Sequence, residues 1–514
     1  MTTGQTETDG PGNAAPDVSR EVRTIAKGSA IGIGGKISAG LLAIVVMPIV
    51  VRILGADNFG VYTLANRLLE ILALFVHFGF ITSIARFVGI HEGEGRPDRS
   101  GGVILGTAAM TLGASFLLSA LIFLNPQWIS VGFFHKAGFT PVVRMVIFAL
   151  PLLVLTMLLL QATIAKGTMF FRTVSDVVVD PVKLACIFIF CRVMGMGITG
   201  AVIAIFALNI SRFSVAAIGI RSCFPGIKPS HIRNFRAWTV MSYSFPLVLA
   251  ELSAFSIFQI NSLVGARWLL NRDIGIYGAV FSIVTIGAAG YGVIASIFMP
   301  VLADLHNRKQ KEKLKILYRT ATRWAYHLSI MPLVFLAIKS KAVLMIFGAE
   351  FTSGAAAMTI LSSSLIINAI TGYGAEMLIM SNRPWLPTVN NFVMGTANVA
   401  LSFILVPVHG ITGLAVAAAV GMSGSNILAC VEAWIIHGLH PFTKKACKPA
   451  AAALFAAPVL LVHISPWWLE LAATGIMYVC VYSVVAVLIK LEEEDREIVG
   501  AVLEKLRGGG NRKD

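Results

Sequence analysis

Runs of about 20 apolar residues follow one another along almost the whole chain, separated by short polar connections. A helix needs about that many residues to cross a hydrocarbon core roughly 30 Å thick. Open sheets and lipid-exposed irregular segments do not persist there, because their backbone polar groups would find no partner. Only 13% of the residues are charged, about half the share that a water-facing surface needs. The chain therefore reads as an all-α polytopic membrane protein, and a soluble catalytic domain or a disordered chain is excluded. Spans begin near Ala30, Thr63, Gly102, Met145, Val177 and Thr199. A second set begins near Val240, Gly275, Ala325, Ala355, Val389 and Thr412, and two more near Ala450 and Leu469, which predicts about 14 transmembrane helices.

The two sets of six repeat. Lys36-Ile37-Ser38-Ala39 aligns with Glu251-Leu252-Ser253-Ala254; without a gap, Arg52 meets Arg267, and Gly60-Val61-Tyr62 meets Gly275-Ile276-Tyr277. Further on, Gly197-Ile198-Thr199-Gly200 recurs as Gly410-Ile411-Thr412-Gly413. Register kept over that length indicates duplication. An even number of spans sends both lobes into the membrane in the same direction, so they are related by a pseudo-twofold along the membrane normal with a cavity between them. The expected organisation is a disordered tail over 1–27, an N-lobe of helices 1–6 over 28–225, and a C-lobe of helices 7–12 over 226–440. Helices 13 and 14 follow over 441–490, and an amphipathic tail over 491–514.

Basic residues, which give a net charge of +15, concentrate in alternate loops, among them Arg96, Arg99, Arg172, Arg233, Arg236 and the run Arg308 to Arg319. The positive-inside rule places those loops and both termini in the cytoplasm. Nucleic acid is not an expected partner, because no basic, water-facing domain exists to hold it. The six cysteines show no metal or redox spacing, and no cofactor is expected. Gly195-Met196-Gly197-Ile198-Thr199-Gly200 spells GxGxxG, but it joins two spans and lacks the preceding strand that a dinucleotide site needs, so it reads as a tight turn.

Ionisable groups inside spans are costly and mark wet or paired settings. Lys36 and Glu251 occupy matching places in the two lobes, which the pseudo-twofold turns toward one cavity. Arg67, Glu70 and His77 share a helical face, as do Asp176, Asp180 and Lys183. Asp176 lies near a span end and reads as a snorkelling or paired charge. Lys36, Arg67, Glu70, Arg212 and Glu251 are therefore candidate cavity-lining residues, with His77, Asp180, Glu251 and Asn261 as candidates for ion coupling. No catalytic group and no metal site is expected. Prolines at Pro48, Pro151, Pro246, Pro332 and Pro407 are expected within spans, where they would supply bends.

Three stretches carry a family resemblance. Arg52-Ile53-Leu54-Gly55-Ala56-Asp57-Asn58-Phe59-Gly60-Val61-Tyr62 resembles the first-loop signature of the polysaccharide exporter family, which includes the Wzx-type oligosaccharide flippases. The wider superfamily takes in MATE drug exporters and the lipid II flippase. Ile346-Phe347-Gly348-Ala349-Glu350-Phe351 and Val406-Pro407-Val408-His409-Gly410-Ile411-Thr412-Gly413 are similar to its later turns. Where that family often has an acidic residue in the seventh span, this chain has Asn261. The resemblance implies a non-enzymatic flippase in a bacterial or archaeal cytoplasmic membrane. It would carry a polyprenyl-pyrophosphate-linked oligosaccharide to the outer leaflet, with membrane lipid and other glycan-assembly proteins as further candidate partners. It also implies a lateral groove for the lipid tail beside spans 13 and 14. A MATE-type drug exporter is the alternative within this architecture. A membrane polysaccharide polymerase or ligase is the alternative of another class, but the outer connection from Asn125 to Val143 has no carboxylate for acid–base work.

Overall fold

A computed structural model of the protein describes residues 18–442 and 446–488, with side chains from Gly34 onward except those of Lys36, Ile37 and Pro300. Helices and short turns make up the described residues, with no strand among them. Ten helices there are long and apolar enough to cross a membrane, and the shorter Cys447–Leu461 is apolar as well. The protein is a multi-pass integral membrane protein.

The first half contains α1 (Val18–His77), α2 (Phe80–Gly93), α3 (Pro97–Leu124), α4 (Leu150–Ala165), α5 (Phe170–Ile187) and α6 (Gly197–Cys223). The second contains α7 (Ala237–Phe258), α8 (Asn271–Gly287), α9 (Ala289–Asn307), α10 (Lys311–Ile338), α11 (Ala355–Thr371) and α12 (Trp385–His437). α13 (Cys447–Ala456) and α14 (Trp467–Leu488) complete the bundle, and shorter helical turns join these elements. Two helices are too long for one crossing. α1 breaks at Gly55 (φ 72°, ψ 168°) and α12 at Gly410 (φ 57°, ψ −132°), each leaving two legs joined by a one-residue elbow. Only glycine adopts such angles without strain, which explains the glycine in each of these turn motifs.

The pseudo-twofold is visible where repeat-matched residues touch each other. Gly60 of α1 packs on Gly275 of α8, so closely that a Cβ on Gly60 would overlap the Asn271 carbonyl and one on Gly275 would overlap the Ala56 carbonyl. A Cβ on Gly278 would stand 3.0 Å from the Thr63 methyl carbon, and Thr63 is the residue matched to Gly278. Residues that meet their own counterparts lie beside the symmetry axis. The largest apolar core surrounds this contact, drawing Val50, Leu54 and Leu64 from one half and Ile276, Val280 and Phe351 from the other.

One detail differs from expectation. Backbone helix begins at Val18, inside the 1–27 segment expected to be unstructured, and Val18, Val22 and Ile25 there recur at helical spacing. Pro151 lies within the candidate span Ala137–Ala165, in the first turn of α4 and preceded by a 3-10 turn, whereas Pro48, Pro246, Pro332 and Pro407 lie in helix interiors. First-turn proline costs no hydrogen bond. α14 is fastened to the second half by Lys339, which is buried, bonds the Glu470 carboxylate and donates to the Val462 carbonyl at 2.8 Å. Residues 1–17 and the tail over 491–514 lie outside the described residues.

Candidate functional site

α1 and α8 diverge from their contact at Gly60 and Gly275. Past the matched Thr63 and Gly278, at the pair Arg67 and Ser282, the helices line a compartment of about 190 Å³, together with Asn66, Glu70 and Lys183. Glu70 also borders a larger cavity of about 600 Å³, within the roughly 300–1,000 Å³ typical of ligand sites. His77, Arg172, Arg212 and Glu251 complete its charged lining, and Leu74, Met157 and Phe255 supply apolar wall. The cavity thus lies between helices of the first half and α7 of the second.

The end of the bundle on the far side of this contact is held shut. Arg52 donates from Nε to the Ile346 carbonyl at 2.7 Å, and the Ala56 amide donates to Glu350 Oε1 at 3.0 Å. Lys136 Nζ donates to the Leu269 carbonyl at 2.7 Å. Each of these bonds crosses between the halves, and two of them use residues of the turn motifs singled out from sequence.

Within the cavity the charges are partly paired. Arg67 Nη1 donates to Glu70 Oε2 at 2.6 Å across one helical turn. Arg212 stands 3.5 Å from Asp176 through Nη2, and Arg172 donates to the other Asp176 oxygen at 3.1 Å. One carboxylate therefore serves two guanidiniums, which leaves this wall with excess positive charge. Opposite, Thr82 Oγ1 donates to Glu251 Oε1 at 3.2 Å, while Glu251 Oε2 has no hydrogen-bond partner. His77 Nδ1 lies 3.5 Å from that oxygen and also accepts the Gly79 amide at 3.3 Å. Nδ1 has one lone pair and the Gly79 amide uses it, so a proton held between His77 and Glu251 would displace that bond.

Of the residues proposed from sequence, Glu70, His77, Arg212 and Glu251 come together on one cavity, and Arg67 lines the compartment that adjoins it. Asp180 pairs with Lys183 at 2.5 Å, outside the lining of the larger cavity. Asn261 is buried and donates back to the Ile257 carbonyl of its own turn at 3.4 Å, so it does not face the cavity either. The side chain of Lys36 lies outside the described residues. Arg172 is the lining residue that sequence reasoning assigned to a basic loop; its i, i+4 relation to Asp176 was the available signal. No group of His, Cys, Asp or Glu suited to a metal occurs among the described residues.

Residues 25–306 match the model of a family described as "Polysaccharide biosynthesis protein". The chain belongs to this family. Among curated relatives, the uncharacterized membrane protein EpsK of Bacillus subtilis is 25% identical over 264 residues, 49% of this chain and 52% of that protein. The chain thus spans about half the length of that relative. The probable low-salt glycan biosynthesis flippase Agl15 of Haloferax volcanii is 21% identical over 381 residues, 73% of this chain and 76% of that protein. The solved lipid II flippase MurJ, in an inward closed conformation, superposes with a TM-score of 0.71 at 14% identity, covering 88% of this chain and 97% of that one. An inward-facing MATE family multidrug transporter superposes at 0.64 with 15% identity, covering 78% and 94%. These likenesses establish the fold. The relatives named for an activity are flippases and transporters, not enzymes.

Proposed function

We propose that the protein is a flippase that carries a polyprenyl-pyrophosphate-linked oligosaccharide from the inner to the outer leaflet of a bacterial or archaeal cytoplasmic membrane, with both termini in the cytoplasm. The observation that carries this reading is the cavity of about 600 Å³ between the halves, with Arg172 and Arg212 sharing one carboxylate on its wall. A sugar hydroxyl without a partner costs about 4 kcal/mol or more in hydrocarbon, so a headgroup with about ten of them faces tens of kcal/mol. A polar cavity removes that barrier. Two guanidiniums suit the oxygens of a pyrophosphate, and outward movement of two negative charges from a negative interior is favoured by about 4.6 kcal/mol per 100 mV.

The outer seal at Gly60 and Gly275 and the divergence below it fit one state of an alternating-access cycle, with the 28–225 and 226–440 lobes rocking about the connection between them. Leu471 of α14 joins Ala43, Pro48, Ile283 and Phe347 on an apolar cleft of about 310 Å³. That cleft suits a lipid tail outside the polar cavity. The His77–Glu251 pair is the candidate for proton coupling, and Asn261 is buried outside the lining of that cavity. A cationic-drug exporter fits less well, since the Arg172 and Arg212 wall repels such cargo.

The test is reconstitution of the purified protein into vesicles that hold a fluorescent lipid-linked oligosaccharide in the leaflet matching its cytoplasmic face. Transfer to the opposite leaflet, measured with a membrane-impermeant quencher, is the expected result. A folded, correctly inserted sample that gives no transfer above protein-free vesicles overturns the reading.

A further inference from the structure

Away from the transport cavity, at the basic end of the bundle, a separate pocket of about 340 Å³ lies where α2, α3, the connection between the halves and the start of α7 converge. His91, Arg99, Arg233 and Arg236 form its rim, and Phe87, Val103 and Val240 its apolar floor. Topogenic charge requires only that basic residues lie on one side of the membrane. It does not require three guanidiniums to converge on one concavity, where they repel each other.

The acidic groups near this rim are already engaged. Asp98 accepts from Asn234 Nδ2 at 3.1 Å, Glu94 pairs with Arg96 at 3.0 Å, and Glu92 bonds Lys166. Glu94 stands 3.6 Å from His91 Nδ1, which has no hydrogen-bond partner. Among the described residues, no carboxylate forms an ion pair with Arg99, Arg233 or Arg236.

The rim is also built in place. The connection folds as a 3-10 turn over Pro229–Asn234 and is pressed onto α3, where a Cβ on Gly101 would stand 2.7 Å from His231 Nδ1 and one on Gly106 would overlap the Phe235 ring. Arg233 and Arg236 are therefore set by packing. Beside them Trp238 is 80% exposed, as expected of a tryptophan at headgroup level. Arginine forks match phosphate oxygens, and basic pockets between helices at the inner face accept lipid headgroups.

We infer that this pocket binds a phosphate group, and that the phosphate is the headgroup of an anionic membrane lipid whose chains run over Phe87, Val103 and Val240. The ligand touches α2 and α3 on one side and the connection and α7 on the other, so it bridges the joint between the halves. This assignment does not rest on the transport reading.

Native mass spectrometry of the full chain released from nanodiscs tests it, with phosphatidylglycerol, phosphatidylcholine and inorganic phosphate as probes. One tightly held phosphatidylglycerol is expected, with phosphatidylcholine bound no more tightly than at random sites. Each of Arg99→Gln, Arg233→Gln and Arg236→Gln should weaken it about tenfold, and the triple variant should abolish selective retention. The control Lys311→Gln/Lys313→Gln/Lys315→Gln, in another basic segment, should keep it. Equal retention by the triple variant, or equal loss in the control, overturns the site. Saturation by inorganic phosphate with no preference for phosphatidylglycerol keeps the phosphate site and overturns the lipid assignment. Should the triple variant fail to fold, the three single variants decide between the same outcomes.

Discussion

The Gly60–Gly275 seal and the charged compartment of about 190 Å³ beside it are built on the same two repeat-matched helix legs, and they differ in what duplication left there. At the seal the matched residues are alike, Gly60 with Gly275 and Tyr62 with Tyr277, and the two glycines meet across the axis. A few turns on, the register that pairs those glycines sets Arg67 against Ser282 and Glu70 against Thr285. The charges that line the cavity come mostly from the first half, with Glu251 the second half's carboxylate there. Two other carboxylates of the second half are engaged within that half instead: Glu432 accepts from Asn390 at 2.7 Å, and Glu376 lies 3.5 Å from the Tyr291 hydroxyl. Symmetry persists where two backbones must touch, because only small residues fit. It is lost where cargo would sit, since an asymmetric headgroup gains nothing from a symmetric lining.

That contrast can be broken at four points. The largest effect is expected from Arg172→Gln combined with Arg212→Gln. Loss of two charge-assisted contacts should cost about 3 kcal/mol or more, over a hundredfold in affinity for a pyrophosphate-linked lipid. Unchanged binding by a well-inserted double variant would remove the cavity's polarity from the mechanism. Gly275→Leu comes next, since its Cβ alone overlaps the Ala56 carbonyl. An overpacking cost of about 1–3 kcal/mol should cut the sealed population roughly 5- to 150-fold, read as longer spin-label distances across the sealed end. Glu350→Gln weakens the acceptor for the Ala56 amide; with the carboxylate side chain 40% exposed, a shift of about 1 kcal/mol in the same distances is expected. Thr82→Ala removes one hydrogen bond from Glu251 and should change the transfer rate by a factor of roughly 2–10, with the distances across the sealed end unaltered.

The fold was legible because apolar run length and repeat register are properties of the chain itself, and each needs no knowledge of what a side chain faces. The elbows at Gly55 and Gly410 were legible as turn motifs, though not as uninterrupted helix on either side. The site was legible in part. Helical spacing grouped Arg67, Glu70 and His77 on one face, and Glu70 and His77 do share a cavity. Spacing says which face a residue is on, but not which neighbour that face meets, so Asp180 read as a coupling candidate and is found paired with Lys183. Arg172 was obscured for a different reason. In the first turn of a span, a charge that stays at the interface and one that reaches into a cavity look alike in sequence.

The single-residue elbows have a mechanical consequence. A flexible loop would let one leg of α1 tilt while the other stayed still. Gly55 offers no such slack: it is one peptide unit with continuous helix on both sides, and Arg52 and Ala56, which flank it, are tied to the opposite half. The leg from Ser38 and the leg carrying Arg67 and Glu70 meet at that one residue, so in an alternating-access cycle a movement that broke the ties of Arg52 and Ala56 would shift the charges in the same stroke.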